Sequence, residues 1–202
     1  FTALDFSNTI VEIANARLAG GVAPNLPQGN SIPILNKKYR LILTCVFFHT
    51  DENNYTYQNA NVNQLLTLYG NNVGHEVNIF WVYDNNSSGY AGGGKATMSG
   101  NRWLLIKAAW QKYRDYGNAG FWGDYWVLLH ELGHNLGLYH TILTNFGACS
   151  NYVDDCCSDT PKRQDLLEQG EPDPCCLWGE GNNPACSNNM MDYTGSLSVT
   201  LE

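Results

Sequence analysis

Apolar positions recur along this chain with two periods, and together they outline alternating helices and strands. The run from Asn8 to Leu18 predicts a short helix closed by Gly20-Gly21, followed by a Pro/Gly/Asn stretch that reaches Asn36. Tyr39 to His49 is rich in β-branched and aromatic residues and predicts a buried strand. From Asn61 to Tyr69 the residues Val62, Leu65, Leu66 and Tyr69 share one helical face. Val77 to Tyr83 predicts a second strand, and Arg102 to Trp110 a third with some helical character. The glycines of Gly89 to Gly94 form no phosphate loop, because no Gly-Lys-Ser/Thr follows. Asp124 to Leu136 predicts a helix, with Asp124 as N-cap and Gly137 as the left-handed residue beyond its end. Past that point no regular element is legible. The order gives an α/β fold: a single domain over 1–202, made of an N-terminal lobe (1–137) and an irregular, disulfide-tied C-terminal lobe (138–202).

Composition supports an extracellular setting. Hydrophobic residues make up 44%, enough for a real core, while charged residues are only 15%, below the usual quarter. The longest apolar run, Leu41 to Phe48, has strand length and cannot span a bilayer. Phe1 opens the chain without an initiator Met or a signal segment, so a processed or trimmed chain is expected.

Charge and cysteine are both uneven. Residues 1–137 are balanced, and the whole net charge of −8 arises after them, where ten acids face only Lys162 and Arg163. That distribution argues against a nucleic-acid partner, which needs a basic face. Cys149, Cys156, Cys157, Cys175, Cys176 and Cys186 fall in a stretch rich in Gly, Asn, Asp and Pro, and read as disulfides in an oxidising compartment. No Cys-x-x-Cys pair occurs, so zinc-finger spacing is absent, and 15 pairings remain open. Cys45 lies in the apolar run Leu41–Phe48 and is expected to be a buried free thiol. The localisation these features suggest is secreted, extracellular or cell-surface.

The chemistry concentrates in His130-Glu-Leu-Gly-His-Asn-Leu-Gly-Leu-Tyr-His140. On a helix His130 and His134 share one face and can converge on one ion. Glu131 is one residue round, able to reach a metal-bound water but poorly placed as a ligand. A left-handed Gly137 would turn the chain so that His140 approaches from a second direction. Three neutral imidazoles leave one position open, the arrangement of a catalytic zinc. Such a zinc lowers the pKa of its water toward ~7, with Glu131 as general base. His49 and His75 match no metal pattern.

The motif resembles the zinc signature of the metzincin metallopeptidases, His-Glu-x-x-His-x-x-Gly-x-x-His. Asn188-Asn-Met-Met-Asp-Tyr193 is similar to the clan's Met-turn, with Met191 at the turn position. The resemblance implies that Tyr193 lies near the zinc and stabilises the reaction intermediate. It also implies a metzincin-like catalytic domain: a twisted, mostly parallel sheet, backing and active-site helices, and an upper-rim edge strand antiparallel to the bound peptide. Arg102–Ala109 takes the matching place before the active-site helix. Within the clan, Gly137-Leu-Tyr-His-Thr141, Gly147-Ala-Cys149, Asp159-Thr-Pro161 and Cys186 ahead of the Met-turn resemble the pappalysins. Adamalysin-like enzymes, which share His-Glu-Leu-Gly-His-Asn-Leu-Gly, are the second likeness. The pappalysin likeness implies a Cys149–Cys186 bridge. It also implies structural calcium near Asp154, Asp155, Asp159 and Thr160, whose hard oxygens suit that ion.

The expected function is zinc-dependent endopeptidase action on proteins or peptides by a monomeric chain. The alternative is a catalytically inactive zinc-holding binding or interaction module, and the presence of Glu131 separates the two.

Overall fold

Thr2 and Asp5 start the first helix by satisfying each other's backbone. The Asp5 carboxylate accepts from the Thr2 amide at 2.7 Å, and the Thr2 hydroxyl accepts from the Asp5 amide at 3.2 Å, a capping box. In the computed structural model, residues 2–20, 40–85, 94–97, 102–117 and 124–138 are described, together with positions 168 and 191. The capped helix α1 runs Ala3–Gly20, five residues ahead of the predicted start. Phe6, Ile10, Val11, Ala14 and Leu18 form its buried stripe.

Helix α2, Val62–Tyr69, is capped by Asn61, whose side chain accepts from the Gln64 amide. Its Leu65 and Leu66 are buried as the periodicity predicts.

The chain divides into two compact units, the first comprising Phe1–Gly20 and Lys37–Gly137. Its sheet contains β1 (Asn78–Val82), β2 (Gly94–Ala96) and β3 (Trp103–Lys107) in the order β1-β3-β2. β1 and β3 are parallel, with Phe80 opposite Leu105, and β2 and β3 are antiparallel, with Lys95 opposite Leu105. Among the described strands the sheet is therefore mixed. Leu104, Leu105 and Ile106 are all fully buried, so β3 is covered on both faces, as a central strand must be. This corrects the expectation for Arg102–Ala109. Among the described strands the segment is central, and β2 is an antiparallel edge.

β3 also ends sooner than its apolar run. Ala108 takes a left-handed φ of 60°, and its amide still donates to the Val82 carbonyl. The Lys112 amide then donates to the Ala108 carbonyl, opening helix α3, Ala109–Tyr116. The mixed strand and helix signal of 102–110 is thus two elements joined at one residue.

The strand expected over Tyr39–His49 does not form within its described part, 40–49. At Leu41 the backbone is paired by α1 instead. The Asn15 side chain donates to the Leu41 carbonyl at 2.9 Å and accepts from the Leu41 amide at 2.7 Å. A side-chain amide thereby takes the place of a neighbouring strand. A cavity of about 360 Å³ is lined by residues of this segment and of β1, among them Leu41, Leu43, Val46 and Ile79. Ile42 is 74% and Phe48 68% exposed. Cys45 is a free thiol but an exposed one, which corrects the expectation of burial.

Helix α4, Asp124–Asn135, touches α1, β2 and β3. Asp124 is its first residue rather than its cap, and its carboxylate accepts from the Lys112 ammonium of α3, both residues being buried. Arg17 of α1 lies 5.4 Å from the centre of the Tyr125 ring, a cation–π contact joining α1 to α4.

Candidate active site

One face of α4 buries Tyr125, Leu128, Leu129 and Leu132. The register of those residues fixes what the rest of the helix can present. His130 and His134 fall one turn apart on another face, half-buried. Their ring centroids are 4.8 Å apart and the rings stand at 86° to each other. Two imidazoles this close on successive turns are ligand types suited to a shared metal of the zinc type. Among the described residues no group of three His, Cys, Asp or Glu side chains comes together; His140, the third expected ligand, lies outside the described residues.

The helix ends as its glycine predicts. Gly137 has a φ of 91°, and its amide donates to the His134 carbonyl at 2.9 Å. The Leu136 amide is shared between the carbonyls of Leu132 and Gly133. These bonds satisfy the last carbonyls of the helix at the point where the chain leaves it.

Glu131 is only 6% exposed. Burial pushes its carboxyl up from 4.5 to about 7, because removal from water disfavours the charged form. A carboxyl held there can both accept and release a proton near neutral pH. The wall against it is β2: a Cβ on Gly94 would lie 2.7 Å from Glu131 Cγ and 2.8 Å from Oε1. The Tyr57 hydroxyl donates to the Gly94 carbonyl at 3.2 Å. The Lys95 ammonium sits 4.7 Å from the Tyr57 ring centre.

Asn135 joins the far end of α4 to the sheet. Its side-chain amide donates to the Thr97 carbonyl at 3.1 Å and to the Trp103 carbonyl at 2.9 Å. It therefore bridges β2 and β3 where their ladder ends. Sequence reasoning did not single out Asn135, Gly94 or Tyr57. Asn135 stood inside the motif and Gly94 closed the glycine run, but their partners are distant in the chain.

Met191 is buried and lies in a turn. Tyr193, Asp154, Asp155, Asp159, Thr160 and the six clustered cysteines lie outside the described residues.

Two adjacent imidazoles and a buried carboxyl on one helix are the donor and base types of a hydrolytic metal site. Residues 29–200 match the model of metallo-peptidase family M12 (Reprolysin_5), and the chain belongs to that family. Such peptidases typically use zinc and act on proteins or peptides. No curated protein and no solved structure matches the chain. Among the described residues no helix is long and apolar enough to cross a membrane.

Proposed function

We propose that this chain is a zinc-dependent endopeptidase in which Glu131 is the general base and His130, His134 and His140 are the zinc ligands. The observation that carries the reading is the buried Glu131 carboxyl on the same helix as the edge-on pair His130–His134, in a chain of family M12. When bound, zinc would supply Lewis acidity and a water acidified toward ~7. Glu131 would take a proton from the attacking water on a carboxylate oxygen and deliver it to the nitrogen of the leaving amine. The Tyr193 hydroxyl would donate to the oxyanion that develops on the scissile carbonyl. An extended peptide would pair with β2, the antiparallel edge of the described sheet.

The finer parts of the reading rest on sequence order. The run from Gly137 through Asp159-Thr-Pro161 to Met191 supports a pappalysin-like arrangement, with Met191 in the turn below the metal and a Cys149–Cys186 bridge. Asp154, Asp155, Asp159 and Thr160 would hold a structural calcium. The clustered cysteines support secretion or display at the cell surface. The chain would act as a monomer. An inert zinc-holding module would have no use for a general base, so Glu131 favours the enzyme.

Turnover of a fluorogenic peptide library, with and without a zinc chelator, tests the proposal. Cleavage that stops with chelator and returns with added zinc supports it. Cleavage indifferent to chelation, or none with zinc fully loaded, overturns it.

A further inference from the structure

We propose that Gly94 is a positioning residue of the hydrolytic reaction, the absence of its side chain being what lets the Glu131 carboxyl occupy its place. The inference rests on the endopeptidase reading. Glycine is not needed here for its backbone, since Gly94 is absent from the positive-φ residues, which among the described glycines are Gly74, Gly117 and Gly137. What alanine lacks is space. Its Cβ would stand 2.7, 2.8 and 2.9 Å from Cγ, Oε1 and Cδ of Glu131. Cγ is not a free tip, so relief requires the whole side chain to change rotamer.

β2 cannot readily retreat instead. At one end the Gly94 carbonyl is held by the Tyr57 hydroxyl, and Gly94 pairs with Ile106 of the fully buried β3. At the other end the Thr97 carbonyl is held by Asn135, on the same helix as Glu131. The strand is thus tied to α4 one turn beyond the carboxyl it confines. Proton transfer requires a heavy-atom separation of about 2.6–3.2 Å. Displacing the carboxyl by ~1 Å is enough to lower the rate ~100-fold.

A thermodynamic cycle tests the assignment without depending on turnover. Melting temperatures are measured for the wild-type chain, Gly94→Ala, Glu131→Ala and the double variant, each metal-free and zinc-loaded. Gly94→Ala is expected to lower Tm by ~2–4 °C when Glu131 is present and to leave it unchanged in the Glu131→Ala background. In the zinc-loaded chain Gly94→Ala should also lose ~10–100-fold in kcat with its zinc content intact. Should Gly94→Ala fail to fold while the double variant folds, the coupling is confirmed. An equal loss of Tm in both backgrounds, failure of both to fold, or wild-type kcat in Gly94→Ala overturns the assignment. If the wild-type chain turns over no peptide, the endopeptidase reading fails, and with it the catalytic role of Gly94, while the melting cycle still decides whether Gly94 seats the Glu131 carboxyl.

Discussion

Lys112 of α3 and Asp124 of α4 form an ion pair that is almost wholly withdrawn from water, with side-chain exposures of 9% and 0%. Burial raises the Asp124 carboxyl above its ordinary value, and the Lys112 charge and hydrogen bond oppose that rise. The pair therefore ties α3 to the first residue of α4, and its value depends on both partners staying. Lys112→Met should destabilise the fold by about 3–5 kcal/mol, read by urea unfolding. With Lys112 gone, nothing offsets desolvation and the carboxyl rises further. The folded variant then binds more protons than its unfolded chain, so its stability falls as pH increases through the raised value. The gap from wild type should accordingly widen from acid toward neutral pH; a gap independent of pH would show that Asp124 is not the group concerned.

Asn135 makes a different kind of tie, neutral and aimed at two carbonyls. Asn135→Leu loses both bonds to Thr97 and Trp103 and should cost about 1–3 kcal/mol. Asn135→Asp should be worse than Leu at neutral pH, because a carboxylate would face two carbonyl oxygens. Chemical denaturation of the two variants checks that order.

Gly137 sits at a φ of 91°, where a Cβ is strained. Gly137→Ala should destabilise by roughly 1–2 kcal/mol, and Gly137→Asn by less, since Asn tolerates this conformation better. Equal losses in the two variants would mean that the helix end is not what the glycine supplies.

Asp51 predicts an acid limb. Its carboxyl is held below the ordinary value, first by the Asn54 amide and then by the Asn54 side chain, the Asn53 amide and the Tyr69 hydroxyl. A lowered folded value gives stability that is complete above the unfolded value and is lost as pH falls through the folded one. Asp51→Asn should flatten that part of the acid-unfolding curve, followed by tryptophan fluorescence.

Helix α4 was legible because its signals are local. His130 and His134 one turn apart, and a glycine at the helix end, are statements about neighbours in the chain. The strand order was less accessible, yet the run Trp103-Leu-Leu-Ile106 carried the mark of a central strand, being apolar at successive positions. Residues 40–49 misled because β-propensity measures fit to a pleated surface. It does not reveal that Asn15 will occupy the backbone of Leu41. The seat of Glu131 was invisible for the same reason, since Gly94 meets it only once β2 is laid against α4. His140 and Tyr193 lie outside the described residues and rest on sequence alone.

Zinc content and peptide turnover, measured on the same preparations of wild type and Glu131→Ala, test the central claim most directly. The account predicts one zinc per chain in both and a turnover lower by about 10²–10⁴-fold in the variant. Wild-type turnover in Glu131→Ala, at full zinc occupancy, would contradict it.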